Sequence, residues 1–102
     1  MKIVIMGSGG VGGYFGARLA DAGEDVSFVA RGRHLEAIKS KGLKIKSELG
    51  NTTIDPAVAS DTPEDLGMAD LILFCVKAYD TESAALAIKP IVGPKTGIIP
   101  FL

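Results

Sequence analysis

The sequence predicts an α/β fold: a doubly wound, mainly parallel sheet with helices on both faces. Three observations support this. Short apolar runs alternate along the chain with segments of helical periodicity. The runs show little polar alternation, as expected of strands covered on both sides. The stretches between them are long enough for the crossovers that parallel strands require.

The first run, Lys2–Met6, ends abruptly at Gly7, as a buried strand does before a tight turn. Apolar and small residues then recur at helical spacing over residues 10–22, with Gly12, Gly16 and Ala20 four apart on one face and Gly23 at the expected C′ position. Gly12, Gly13 and Gly16 together penalise that helix by roughly 2–3 kcal/mol relative to alanine. Some requirement for missing side chains must offset this, and close packing on a sheet is the plain candidate. Residues 25–30 form the next strand and 33–41 a helix closed by Gly42. Leu43 and Ile45 alternate with lysines ahead of Gly50-Asn51 and Thr52–Ile54, which reads as a polar-faced hairpin. Thr62-Pro63-Glu64-Asp65 announces a short helix with Thr62 as N-cap and Pro63 at N1. Residues 70–76 form the most strand-like segment. Asp80 can cap a helix reaching about Ile91, and a further strand starts at Gly97.

The 102 residues suit one domain, and 11 Lys+Arg against 12 Asp+Glu leave a net charge of −1. So balanced a charge argues against nucleic acid or an anionic membrane as partner. The longest apolar runs, 71–76 and 98–102, fall far short of the ~20 residues that span a bilayer. Four apolar residues before Gly7 are too few for a secretory leader, and one cysteine, Cys75, fits a reducing compartment, so a cytoplasmic location is expected. The sequence stops inside an apolar strand, and residues 1–102 are therefore expected to be one piece of a longer protein.

Five of the 13 glycines lie within residues 7–13. Gly7-Ser8-Gly9-Gly10-Val11-Gly12 matches the dinucleotide pattern GxGxxG, a weak signal alone that gains force between an apolar strand and a helix. The first glycine allows the turn, the second lets main chain approach a pyrophosphate, and the third lets helix and strand pack closely. Unpaired amides of the first helical turn then face the phosphates. A glycine-rich turn that only packs would not need Gly7 and Gly9 together. An NAD site of the Rossmann type places an acid at the end of the second strand to hold the ribose 2′-hydroxyl. Residues 26–33 contain no acid, but Arg31 and Arg33 follow the strand. A guanidinium can fork onto a 2′-phosphate, so Arg31 points to NADP, while Arg33 and His34 fit an exposed helix face. Lys77 follows the buried strand at its carboxyl end, where open α/β sheets bind ligands, and could hydrogen-bond a ribose hydroxyl or a substrate carboxylate. Cys75 reads as a packing residue; Lys39, Lys41, Lys44 and Lys46 read as helix end and hairpin surface. Asp80 and Glu82 fit capping, and Tyr14 and Tyr79 lack an evident partner, so no acid–base pair emerges.

With these residues placed, the chain resembles the N-terminal half of ketopantoate reductases (2-dehydropantoate 2-reductases). The resemblance rests on Met6-Gly7-Ser8-Gly9-Gly10-Val11-Gly12-Gly13, on Arg31-Gly32-Arg33-His34-Leu35-Glu36-Ala37-Ile38 with Gly42-Leu43, on Ala69-Asp70-Leu71 and on Val76-Lys77-Ala78-Tyr79-Asp80. It implies NADPH-dependent reduction of the keto acid ketopantoate to pantoate, a cytoplasmic step toward pantothenate and coenzyme A. By position it implies pyrophosphate at Gly7 to Gly12, the 2′-phosphate at Arg31 and Lys77 near the nicotinamide end. In the family an Asn-Gly pair follows the strand corresponding to residues 98–102, and a helical C-terminal domain carries the catalytic lysine and much of the substrate site. Two other readings compete: a nucleotide-sensing regulatory module without catalysis, disfavoured by the missing acid, and the cofactor domain of a related hydroxyacid, glycerol-phosphate or sugar dehydrogenase.

Overall fold

The computed structural model describes residues 1–7, 10–45, 50–54, 57–75 and 81–100. In chain order these form β1 (Lys2–Met6), α1 (Gly10–Asp21), β2 (Asp25–Val29), α2 (Gly32–Lys41), β3 (Leu43–Ile45), β4 (Thr52–Ile54), β5 (Val58–Ser60), β6 (Ala69–Phe74), α3 (Thr81–Ala87) and β7 (Val92–Pro100). Five strands build a parallel sheet in the order β5-β2-β1-β6-β7, and β3 and β4 pair separately as an antiparallel hairpin. The doubly wound expectation holds, and the strand order reverses direction at β1, which lies between β2 and β6.

The two faces of β1, β2 and β6 feed different halves of the core. Ile3, Ile5, Val26, Phe28 and Leu73 pack with Ala17 of α1, Leu35 and Ile38 of α2 and Leu43 of the hairpin. On the other side Val4, Met6, Val29, Ile72 and Phe74 pack with Leu66, Ala84, Ile88 and Ile91. Burying each large side chain contributes on the order of 1.5–3 kcal/mol, so the apolar runs of β1 and β6 supply a large share of the cohesion.

The helix α1 can lie against this sheet because its contact face lacks side chains. A Cβ on Gly16 would collide with the Phe28 ring and stand 2.8 Å from Ile5 Cγ1. Gly23 closes the turn after α1 at φ 96°, its N–H donating to the Ala20 carbonyl at 3.0 Å. Gly42 ends α2 at φ 78°.

Four expectations need adjustment. The segment after Thr62 is a single 3-10 turn, Pro63–Leu66, with Pro63 at its start, and the Thr62 hydroxyl does not cap it; that hydroxyl donates to Asp61 Oδ1 at 3.1 Å instead. Strand β6 begins one residue early at Ala69; its Asp70 is exposed, and the pairing with β7 shifts register between Ala69 and Leu71. The helix expected to reach Ile91 stops at Ala87 and resumes as a 3-10 turn, Lys89–Ile91, where Pro90 removes an amide donor. Strand β7 starts at Val92 rather than Gly97 and forms the sheet edge, where Ile98 and Ile99 remain 46% and 44% exposed. Strand β5 was not anticipated: only three residues long, it is defined by its pairing with β2. No helix among the described residues is long and apolar enough to cross a membrane.

Candidate functional site

The carboxyl ends of β1, β2 and β6 finish level with one another, because Met6 pairs with Val29 on one side and Phe74 on the other. Open α/β sheets bind ligands just beyond such ends, at the point where strand order reverses. Here that point is the crevice between β1 and β6. Two main-chain bonds carry the ladders past the strand ends: Gly7 N–H donates to the Val29 carbonyl at 3.4 Å, and Cys75 N–H to the Met6 carbonyl at 2.8 Å.

Gly7 leaves β1 at φ 89°, a backbone state that side-chain-bearing residues rarely adopt, and α1 begins three residues later. Gly12, in the first turn, is buried. A Cβ on it would fall on the carbonyl oxygen of Gly7 and stand 3.0 Å from Cys75 Cβ. The turn, the helix start and the end of β6 thus meet where only hydrogen fits. The leading amides of α1 lack carbonyl partners within the helix, and no acid occupies its first turn. An anion arriving there meets donors and a favourable dipole without a competing carboxylate.

The expected residues are placed as follows. Gly7 and Gly12 lie at the crevice, and the main chain of Gly10 and Val11 forms the start of α1. Ser8, Gly9 and Lys77 lie outside the described residues. Arg31 stands two residues past the end of β2, extended at φ −145° and ψ 164°, immediately before α2, exposed and without a capping bond. No acid lies in the first turn of α2 either. Arg33 and His34 are exposed on α2, and Lys39, Lys41 and Lys44 are exposed too. Arg18, which stacks 5.4 Å from the Tyr14 ring centroid, donates to the Gly50 carbonyl at 3.0 Å and so binds α1 to the hairpin.

Two placements were not legible beforehand. Cys75 sits against Gly12 in the crevice, and burial pushes its thiol pKa up. Asp61, just past β5, reaches the same sheet edge as Arg31 through the β2–β5 pairing; its only sequence signal was a Ser-Asp-Thr-Pro turn. Among the described residues no group of three His, Cys, Asp or Glu side chains is arranged to hold a metal ion.

Comparison with known proteins agrees with this geometry. The family model described as ketopantoate reductase PanE/ApbA matches residues 3–102. The chain belongs to the ketopantoate reductase family. A 2-dehydropantoate 2-reductase of Mesorhizobium japonicum is 41% identical over 100 residues, covering 97% of this chain and 30% of its own length. The crystal structure of 2-dehydropantoate 2-reductase from Geobacter metallireducens superposes with a TM-score of 0.91 at 38% identity, over 99% of this chain and 33% of the other. D-mandelate dehydrogenase, solved with NADH and anilino(oxo)acetate, superposes with a TM-score of 0.90 at 26% identity over all of this chain and 33% of that one. The chain therefore spans about a third of the length of the curated relatives it matches.

Proposed function

We propose that residues 1–102 are the NADP(H)-binding Rossmann domain of a longer oxidoreductase that reduces ketopantoate to pantoate, acting in the cytoplasm on the route to pantothenate and coenzyme A. The observation that carries this reading is the junction at the carboxyl end of β1, where Gly12 packs on the Gly7 carbonyl and Cys75 with no room for a side chain of its own, with Arg31 two residues beyond the neighbouring strand. That junction fits a pyrophosphate: it offers amides without a carbonyl partner within the helix, a helix N-terminus and room for close main-chain approach. Ser8 and Gly9 complete the loop in sequence, Arg31 would take the 2′-phosphate, and Lys77 would lie toward the nicotinamide end. When bound, the reduced nicotinamide supplies a hydride. The chain's own part is to hold and orient the dinucleotide, while the keto acid is bound and protonated by a helical domain beyond residue 102. The regulatory-module reading loses ground to the family membership.

One observation favours a second reading, another 2-oxo acid as substrate, because D-mandelate dehydrogenase shares this domain's shape at a TM-score of 0.90. Cofactor and substrate can be tested separately. Titration of the full-length protein with NADPH and NADH, before and after Arg31→Ala, should show NADPH weakened by about tenfold or more and NADH spared, the loss of a bidentate charged contact. Equal loss of both would refute the role of Arg31. Ketopantoate should then outpace the 2-oxo acid of mandelate in turnover; the reverse order would select the second reading.

A further inference from the structure

We propose that Asp61 is a specificity-determining residue of the candidate dinucleotide site, its carboxylate opposing a 2′-phosphate at Arg31 and so narrowing the preference for NADPH over NADH. This deepens the reading of Arg31 above and rests on it.

The sequence places no acid at the end of β2, but pairing brings one there from the next strand. Register runs Ser27 with Val58, Phe28 with Ala59 and Val29 with Ser60. It continues past the strand ends, where Ala30 N–H donates to the Ser60 carbonyl at 3.1 Å. Ala30 and Asp61 therefore leave the sheet side by side, at the ~4.8 Å spacing of neighbouring strands. Arg31 comes next, extended, and α2 begins directly after it at Gly32. Arg31 and Asp61 are both exposed.

The turn that presents Asp61 is fixed from within. Ser60, only 9% exposed, accepts from Thr62 N–H at 3.0 Å, and its hydroxyl is 3.2 Å from both the Thr62 carbonyl and Asp65 Oδ2. The Thr62 hydroxyl donates to Asp61 Oδ1 at 3.1 Å, which orients the carboxylate. Asp65 is thus engaged with Ser60, and Glu64 lies further along in the 3-10 turn. Asp61 is the acid that leaves the sheet edge first.

The two cofactors differ only at the ribose 2′ position, and Asp61 acts on that difference. A phosphate monoester carries about −1.5 to −2 charges near neutrality. A carboxylate on the adjacent strand repels it through partly hydrated space, with an effect that weakens as salt rises. The 2′-hydroxyl of NADH carries no charge and escapes that repulsion. Arg31 attracts the phosphate, Asp61 counteracts part of the attraction, and discrimination settles between the two.

The test is Asp61→Asn in the full-length protein, a near-isosteric change that keeps an acceptor oxygen for Thr62. Dissociation constants for NADPH and NADH are measured at low and physiological salt, with Glu24→Gln, at the opposite end of β2, as a control for net charge. NADPH should tighten by about three- to tenfold at low salt, less at higher salt, as expected for removal of one partly hydrated like charge. NADH should stay within about twofold, and Glu24→Gln should move neither. An unchanged NADPH-to-NADH ratio in Asp61→Asn, or weaker NADPH binding, overturns the assignment while Arg31→Ala independently reports on the phosphate site. Failure of the parent protein to bind either dinucleotide overturns both.

Discussion

Gly12 and Gly16 carry the same residue type for different reasons, and substitution separates them. Alanine at either would gain up to ~1 kcal/mol of helix propensity. At Gly12 the added methyl would fall on the Gly7 carbonyl and crowd Cys75 and Ile5, so the loop that shapes the crevice must move. Gly12→Ala should destabilise the fold by about 1–3 kcal/mol and also weaken NADPH more than tenfold. At Gly16 the methyl would instead meet the Phe28 ring and Ile5, both fully buried, one helical turn further from the Gly7 carbonyl. Gly16→Ala should lower the melting temperature yet leave the affinity of the folded protein unchanged. Parallel melts and titrations read both, and equal binding defects would remove the distinction. Cys75 adds a pH signature at the same junction. Burial raises its pKa in the folded chain, whereas the unfolded thiol ionises at its ordinary value. Its contribution to stability is thus complete below that value and is lost as pH climbs past it. Relative to Cys75→Ala, the melting temperature of the parent should hold level below about pH 8 and fall as pH rises past the ordinary thiol value of 9.0, and a constant difference would contradict the assignment.

Among the elements, legibility followed locality. The strands β1 and β2, the helices α1 and α2 and the hairpin could all be read because each carries its signal within its own span: an apolar run, a spacing of four, or a Gly50-Asn51 turn between alternating residues. Strand β5 could not, since Val58, Ala59 and Ser60 hold no run or alternation long enough to register, and their extended form comes from pairing with β2. The juxtaposition of Asp61 with Arg31 was hidden for the same reason. Similarly, the GxGxxG spacing disclosed the crevice, but the contact between Gly12 and Cys75 depends on how β6 docks beside β1. The hairpin has its own dependence on a distant residue. Arg18 stacks on Tyr14 and donates to Gly50, while Leu43 gives the hairpin its buried anchor. Arg18→Ala should cost about 0.5–1.5 kcal/mol, the range for a partly exposed hydrogen bond with a cation–π contact. Amide hydrogen exchange should accelerate in β3 and β4 and remain slow in β1. Uniform acceleration across the sheet would mean that Arg18 supports the whole fold rather than this element.

For the whole molecule, the decisive point is how binding and chemistry are divided. The sheet brings main-chain donors, a glycine-shaped junction and Arg31 to one edge, which is what a dinucleotide requires. What the described part of the crevice offers is the Cys75 thiol, a weak acid made weaker by burial. Reduction of a keto group needs a proton as well as a hydride, and a held ketone positioned for both. Since the chain spans about a third of its relatives' length, the function proposed above assigns the proton donor to the rest of the full-length protein. The 102-residue chain, once folded, should therefore bind NADPH more weakly than the full-length protein, because no second domain closes over the nicotinamide. Mixed with NADPH and ketopantoate it should leave the nicotinamide absorbance constant, while the full-length protein consumes it under the same conditions. Steady ketopantoate-dependent oxidation of NADPH by residues 1–102 alone would show that this domain contains its own proton donor, and the division of labour argued here would have to be abandoned.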